Sequence, residues 1–104
     1  NSNLKSVKMS LEKRCADNAL NILLKTIKDK HFYFKRLLTQ KPKSENVLIL
    51  RDICYLLTKR NKFVEMTYVF NELPFLINWL KDNDKSNRLF FKSYINVILS
   101  GNYL

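Results

Sequence analysis

The residues able to do chemistry are few and are not spaced for it. His31 is the single histidine, so there is no second imidazole for a two-His metal set or a proton shuttle. Cys15, Cys54 and His31 would supply three zinc ligands, but their spacing matches no structural or catalytic zinc pattern, and a structural site takes four. A Cys–His nucleophile needs a thiolate activated in an electropositive, partly exposed pocket. Both cysteines instead lie among apolar neighbours in segments that read as helix, and are expected to be small buried hydrophobes. Asp82 and Asp84 fall in Asp82-Asn83-Asp84-Lys85-Ser86, a run that reads as a solvated turn rather than an acid/base pair. A calcium loop begun at Asp82 would lack its turn glycine and would place Ser93, not Glu, at its twelfth position. The sequence therefore reads as non-catalytic, without metal or cofactor.

The elements that must position any other kind of site are helices. There is one glycine, Gly101, and there are two prolines. β-Sandwiches and barrels need many glycine turns, and phosphate-binding loops need several glycines together. With 104 residues, 46% of them hydrophobic, the chain holds one domain and one core. No stretch reaches the ~18 apolar residues of a membrane span, and no signal-peptide core opens the sequence. These features point to an intracellular protein, nuclear or cytoplasmic. Because it begins at Asn1 and ends at Leu104 after an apolar run, the chain is read as a domain of a longer protein.

Apolar spacing places about six short helices. The first is expected over 10–30, capped by Ser10, with Leu11, Cys15, Ala16, Ala19, Leu20, Leu23, Leu24 and Ile27 as one stripe. Residues 1–9 either extend it through Leu4 and Val7 or form a frayed tail. A second helix fits 31–40, followed by a polar link containing Pro42. Ser44 can cap a third over 45–59, where the span of apolar spacing favours helix over a strand at Val47–Leu50. Arg60-Asn61-Lys62 breaks the chain before a fourth helix over 63–71. Pro74 suits the first turn of a fifth, running to Lys81, and a sixth is expected over 87–100, stopped by Gly101. Short links favour antiparallel neighbours, in a compact bundle or a short helical-repeat-like stack. No fixed-period self-similarity is visible, which counts against a regular array.

The charge is lopsided. The formal net charge is +10, and all of it resides in residues 1–62, with eleven Lys and four Arg against five acidic residues. Residues 63–104 are neutral and carry nine of the thirteen aromatics. Such an excess attracts acidic partners. The residues expected to meet one are Lys25, Lys28, Lys35, Arg36, Lys59, Arg60 and Lys62, which would form a basic rim around an apolar groove if the fold brought them together. The run His31-Phe32-Tyr33-Phe34-Lys35-Arg36 invites a second interpretation, with aromatics stacking bases while cations track phosphates. Against that, Phe32 and Phe34 are expected to plug the core beside Leu37 and Leu38.

Leu73-Pro74-Phe75-Leu76-Ile77-Asn78-Trp79-Leu80, a polar turn, and then Phe90 to Leu99 resemble one helical pair of an armadillo/HEAT-type domain. The same stretch is similar to the helical modules at the N-terminus of transcription elongation factor S. The resemblance covers about a third of the chain and carries over no functional residue. It implies docking of short peptide motifs in a nuclear or regulatory setting. The expected function is a non-catalytic protein–protein interaction domain, a scaffold or adaptor, whose basic face receives an acidic or amphipathic segment. Nucleic-acid binding is the second candidate. Homo-oligomerisation through Phe90, Phe91, Tyr94 and Tyr103 is the third.

Overall fold

The computed structural model describes residues 2–14 and 17–83. They form α1 (Ser2–Lys13), α2 (Asp17–Asp29), α3 (His31–Gln40), α4 (Glu45–Lys59), α5 (Phe63–Glu72) and α6 (Pro74–Asn83), with no strand among them. The fold is all-α, as the glycine count implies. The expected helix over 87–100, its Gly101 stop, Cys15 and the apolar set Phe90, Phe91, Tyr94 and Tyr103 lie outside the described residues. Asp82 and Asn83, expected in a turn, belong to α6, and the rest of that expected turn lies outside the described residues.

The long first helix is corrected to two, and Ser10 lies inside α1 rather than capping its start. Residues 2–9 are not a frayed tail: Leu4, Val7 and Leu11 are all buried. The physical reason is helical phase. Leu11 and Leu20 are nine residues apart, which puts them about 180° apart on one straight helix. Leu4, Val7 and Leu11 would then face away from Leu20, Leu23 and Ile27. Only by breaking can the chain turn both stripes into one core.

The other boundaries follow local chemistry. α4 ends in a Schellman motif: Lys62 N–H donates to the Leu57 carbonyl (2.9 Å) and Asn61 N–H to the Thr58 carbonyl (3.1 Å). Asn61 takes the left-handed conformation this stop requires, φ 59°, one that asparagine tolerates better than most residues. Pro74 occupies the first position of α6, where no backbone donor is needed. Ser44 stands at the N-cap of α4 in extended conformation, but its side chain makes no capping hydrogen bond.

The packing has a simple order. Each helix packs on its successor, and α1 packs on α4, α2 on α5 and α3 on α6. A helix that meets the next one and the third one along belongs to a coil with three helices per turn. Thus α1–α3 make one turn and α4–α6 the next, within a body of 32 × 31 × 24 Å. α1 and α4 begin 43 residues apart (Ser2, Glu45), as do α3 and α6 (His31, Pro74). At that same step the buried pairs Leu4/Val47, Val7/Leu50, Leu11/Cys54, Leu23/Met66 and Ile27/Phe70 coincide. Only Asn3, Asn18, Phe32, Leu37 and Leu56 meet an identical residue at that step, so the repeat lies in burial and not in letters.

Candidate functional site: an aromatic and basic face on α3

α3 buries Phe34 and Leu38, one turn apart, against the core. Phe32 was expected beside them, but it is 72% exposed. Two residues on a helix are about 200° apart, so Phe32 and Phe34 cannot both face inward. Tyr33, 40% exposed, lies between these directions. Its hydroxyl accepts a hydrogen bond from Asn46 Nδ2 at 2.9 Å, tying α3 to the first turn of α4. A T-shaped contact with Phe34, centroids 5.3 Å apart, braces the ring from below.

Phe32 is oriented from the other side by His31, whose ring lies 4.1 Å from it. The His31 Nδ1 lies 3.1 Å from the Lys28 carbonyl, which accepts its hydrogen bond across the α2–α3 corner. On the neighbouring α6, Phe75 is 45% exposed. The Lys35 ammonium sits over this ring, 5.5 Å from its centroid. Phe32 and Phe75 occupy equivalent positions in successive turns of the coil.

Two hollows run along the exposed side of α3. One, of about 500 Å³, is lined by Asp29, Lys30, Phe32 and Tyr33. The other, of about 220 Å³, is lined by Tyr33, Arg36, Leu37, Gln40 and Lys41. Tyr33 is the wall they share. Between 28 and 36 the chain carries Lys28, Lys30, Lys35 and Arg36 against the single carboxylate Asp29.

The seven cations singled out in the sequence divide between different places. Lys28, Lys35 and Arg36 are exposed at the α2–α3 corner and along α3, and Lys25 is exposed one turn before Lys28 on α2. Lys59 lies over Tyr55, 5.2 Å from the ring centroid. Arg60 is used inside the fold: its Nη2 donates to the Leu11 and Glu12 carbonyls, each at 3.1 Å, closing the last turn of α1. Lys62 is the half-buried N-cap residue of α5. Of the surface groups here, Phe32 and Tyr33 enter the sequence reading only through the base-stacking alternative, and Phe75 and Lys30 do not enter it as surface groups at all. The two-residue spacing of Phe32 and Phe34 carried the signal for the first of these.

Cys54 is buried on α4, and burial alone pushes its thiol up to about 12. A thiol so hard to ionise is a packing group and not a nucleophile. No helix among the described residues is long and apolar enough to cross a membrane.

The described fold thus belongs to the all-α class, built as two stacked three-helix turns with an aromatic and basic side on their third helices. The chain matches no family model, no curated protein and no solved structure.

Proposed function

We propose that the domain is a non-catalytic protein–protein interaction module whose α3 face receives an acidic, amphipathic segment of another protein. The observation that carries this reading is Phe32, 72% exposed on an otherwise well-packed helix, at the edge of a hollow and among cations. An exposed large aromatic of this kind forgoes about 2 kcal/mol of burial free energy, which a partner's apolar side chain would recover. The surrounding lysines and Arg36 favour a partner with carboxylates beside that side chain.

Titration of a labelled acidic amphipathic peptide, followed by anisotropy over a salt series, tests this. Charge reversal of Lys28, Lys30 and Arg36 together is expected to weaken binding steeply at low salt. Affinity unchanged by that triple variant would sink the electrostatic part of the reading.

A second reading, single-stranded nucleic-acid binding, is favoured by one observation, an open Phe32 ring beside cations. It predicts a log–log salt slope of about −0.7 per phosphate contact on single strands. Absence of oligonucleotide binding at low salt removes it.

A further inference from the structure

Phe32, Lys35 and Phe75 form one continuous strip. Phe32 and Lys35 are three residues apart on α3, so their side chains are neighbours on one face. Lys35 then reaches across to α6, where its ammonium lies 5.5 Å from the Phe75 centroid. The two phenylalanines are equivalent positions of successive turns, on helices that pack directly together. Packed helix axes lie about 8–10 Å apart, which sets the scale of the separation between the rings.

A partner helix matches that scale. Side chains seven residues apart on a helix share a face and are about 10.5 Å apart along the axis. On an extended strand, same-side residues are separated by about 6.7 or 13 Å. We propose, building on the acidic-partner reading above, that this strip clamps one face of a partner helix laid across α3 and α6. Two apolar side chains of that helix, seven residues apart, cover Phe32 and Phe75. Carboxylates at the third and fourth positions between them meet Lys35 and its neighbours Lys28, Lys30 and Arg36. Charge complementarity fixes the chemistry of the occupant, because between 28 and 36 only Asp29 opposes four cations.

The test uses two labelled helical peptides of equal composition, each about four turns long. One carries leucines seven apart with glutamates third and fourth after the first leucine. The other has its leucines five apart, on different faces. Titrated into the full chain at low salt, the first is expected to bind about tenfold tighter than the second. Phe32→Ala and Phe75→Ala should each remove that preference, and Phe32→Leu should restore most of it. Lys35→Gln should weaken binding of the first peptide and flatten its salt dependence. Circular dichroism and thermal midpoints establish that each variant is folded. Equal affinity for both peptides that Phe32→Ala still weakens overturns the clamp while leaving the acidic-partner reading in place, whereas equal affinity with Phe32→Ala silent overturns both. Binding of neither peptide overturns both, as does Phe32-dependent binding of oligo-dT alone.

Discussion

Two seams join the turns of this coil, and they use positive charge in opposite ways. At the α1·α4 seam the cations are engaged within the fold. Lys5 pairs with Glu45 and Lys8 with Asp52, each at 3.0 Å, and Arg60 closes the end of α1. At the α3·α6 seam Lys35 rests on an aromatic ring, and Lys28, Lys30 and Arg36 form no ion pair among the described residues. The same residue types thus stabilise one seam and leave the other with surplus charge beside exposed rings. A basic composition alone would not separate the two. The α3·α6 seam is therefore where a partner has most to gain.

The largest effects should come from the core that both seams share. Phe34→Ala removes a fully buried ring and is expected to cost about 3–5 kcal/mol. Leu4→Ala should cost about 2–5 kcal/mol, although Leu4 falls where the sequence alone allowed a frayed tail. Phe32→Ala, two residues from Phe34, should stay within about 0.5 kcal/mol of the parent. Urea denaturation with a common m-value measures all three. A Phe32→Ala loss as large as that of Phe34→Ala would break the contrast between the buried and open sides of α3.

Cys54 gives the next effect, and it depends on pH. In the unfolded chain the thiol ionises near its ordinary 9.0, whereas the fold holds it up to about 12. Between these values only the unfolded chain releases the proton. Stability from this group is therefore intact below about pH 9 and falls with rising pH above it. Denaturation of a Cys15→Ser variant from pH 7 to 10.5 checks the sign. In the same variant, Ellman's reagent should label Cys54 only on unfolding. Rapid labelling of the native chain would refute the burial argument.

Arg60 and Arg36 compare the seams directly. Arg60→Ala leaves two carbonyls at the end of α1 without their donor and should cost about 1 kcal/mol, the exposed side chain placing it low in the range for charged hydrogen bonds. Arg36→Ala should leave stability within about 0.5 kcal/mol and act on partner binding instead. Equal stability losses would mean that both arginines serve the fold.

What the sequence made legible follows from what each inference used. Glycine scarcity and apolar spacing were enough for an all-α fold and for α3, α4, α5 and α6 to within a few residues. The α1–α2 break was missed although the phase of Leu4, Val7 and Leu11 against Leu20, Leu23 and Ile27 encodes it. The three- to four-residue spacing is common to both sets, and only their angle around the helix separates them. The repeat was hidden because burial at the 43-residue step is kept by unlike residues, such as Leu11 with Cys54 and Ile27 with Phe70. For the candidate site, the cations of α3 are legible in the sequence but their rank is not. Nothing in the letters separates Arg60, reaching back to α1 across 48 residues, from Arg36 on the open side. That distinction is tertiary.

Asn61 offers a smaller effect of opposite sign. Its left-handed φ of 59° ends α4 and sets where α5 begins. Asn61→Gly keeps the Schellman hydrogen bonds and relieves the left-handed strain, so a gain of up to about 1 kcal/mol is expected. Asn61→Val should lose more than that, because a β-branched side chain crowds the same conformation. A destabilising glycine would show that the asparagine side chain itself holds the turn.

The smallest effect tests the ion pairs of the first seam. Lys8 and Asp52 are each about one-third exposed, at 32% and 34% of the side chain, with Arg51 on the other carboxylate oxygen at 2.9 Å. Partial burial lifts such a pair above a solvent-screened one, but ordering two side chains offsets much of the gain. A double-mutant cycle of Lys8→Met and Asp52→Asn should give a coupling of about 0.5 kcal/mol, reduced in high salt. The Lys5–Glu45 pair, 64% and 69% exposed, should show no measurable coupling. Lys5 still favours the ionised form of Glu45, by hydrogen bonding and by charge, and holds its carboxyl below the usual carboxylate range, so whatever small stabilisation this exposed pair gives is lost as pH falls through that range. If instead Lys8 and Asp52 prove uncoupled, the first seam is held by Leu4, Val7, Leu11 and their α4 counterparts alone. Its lysines would then be as available to a partner as those of α3, and the distinction between the seams would rest on the exposed rings.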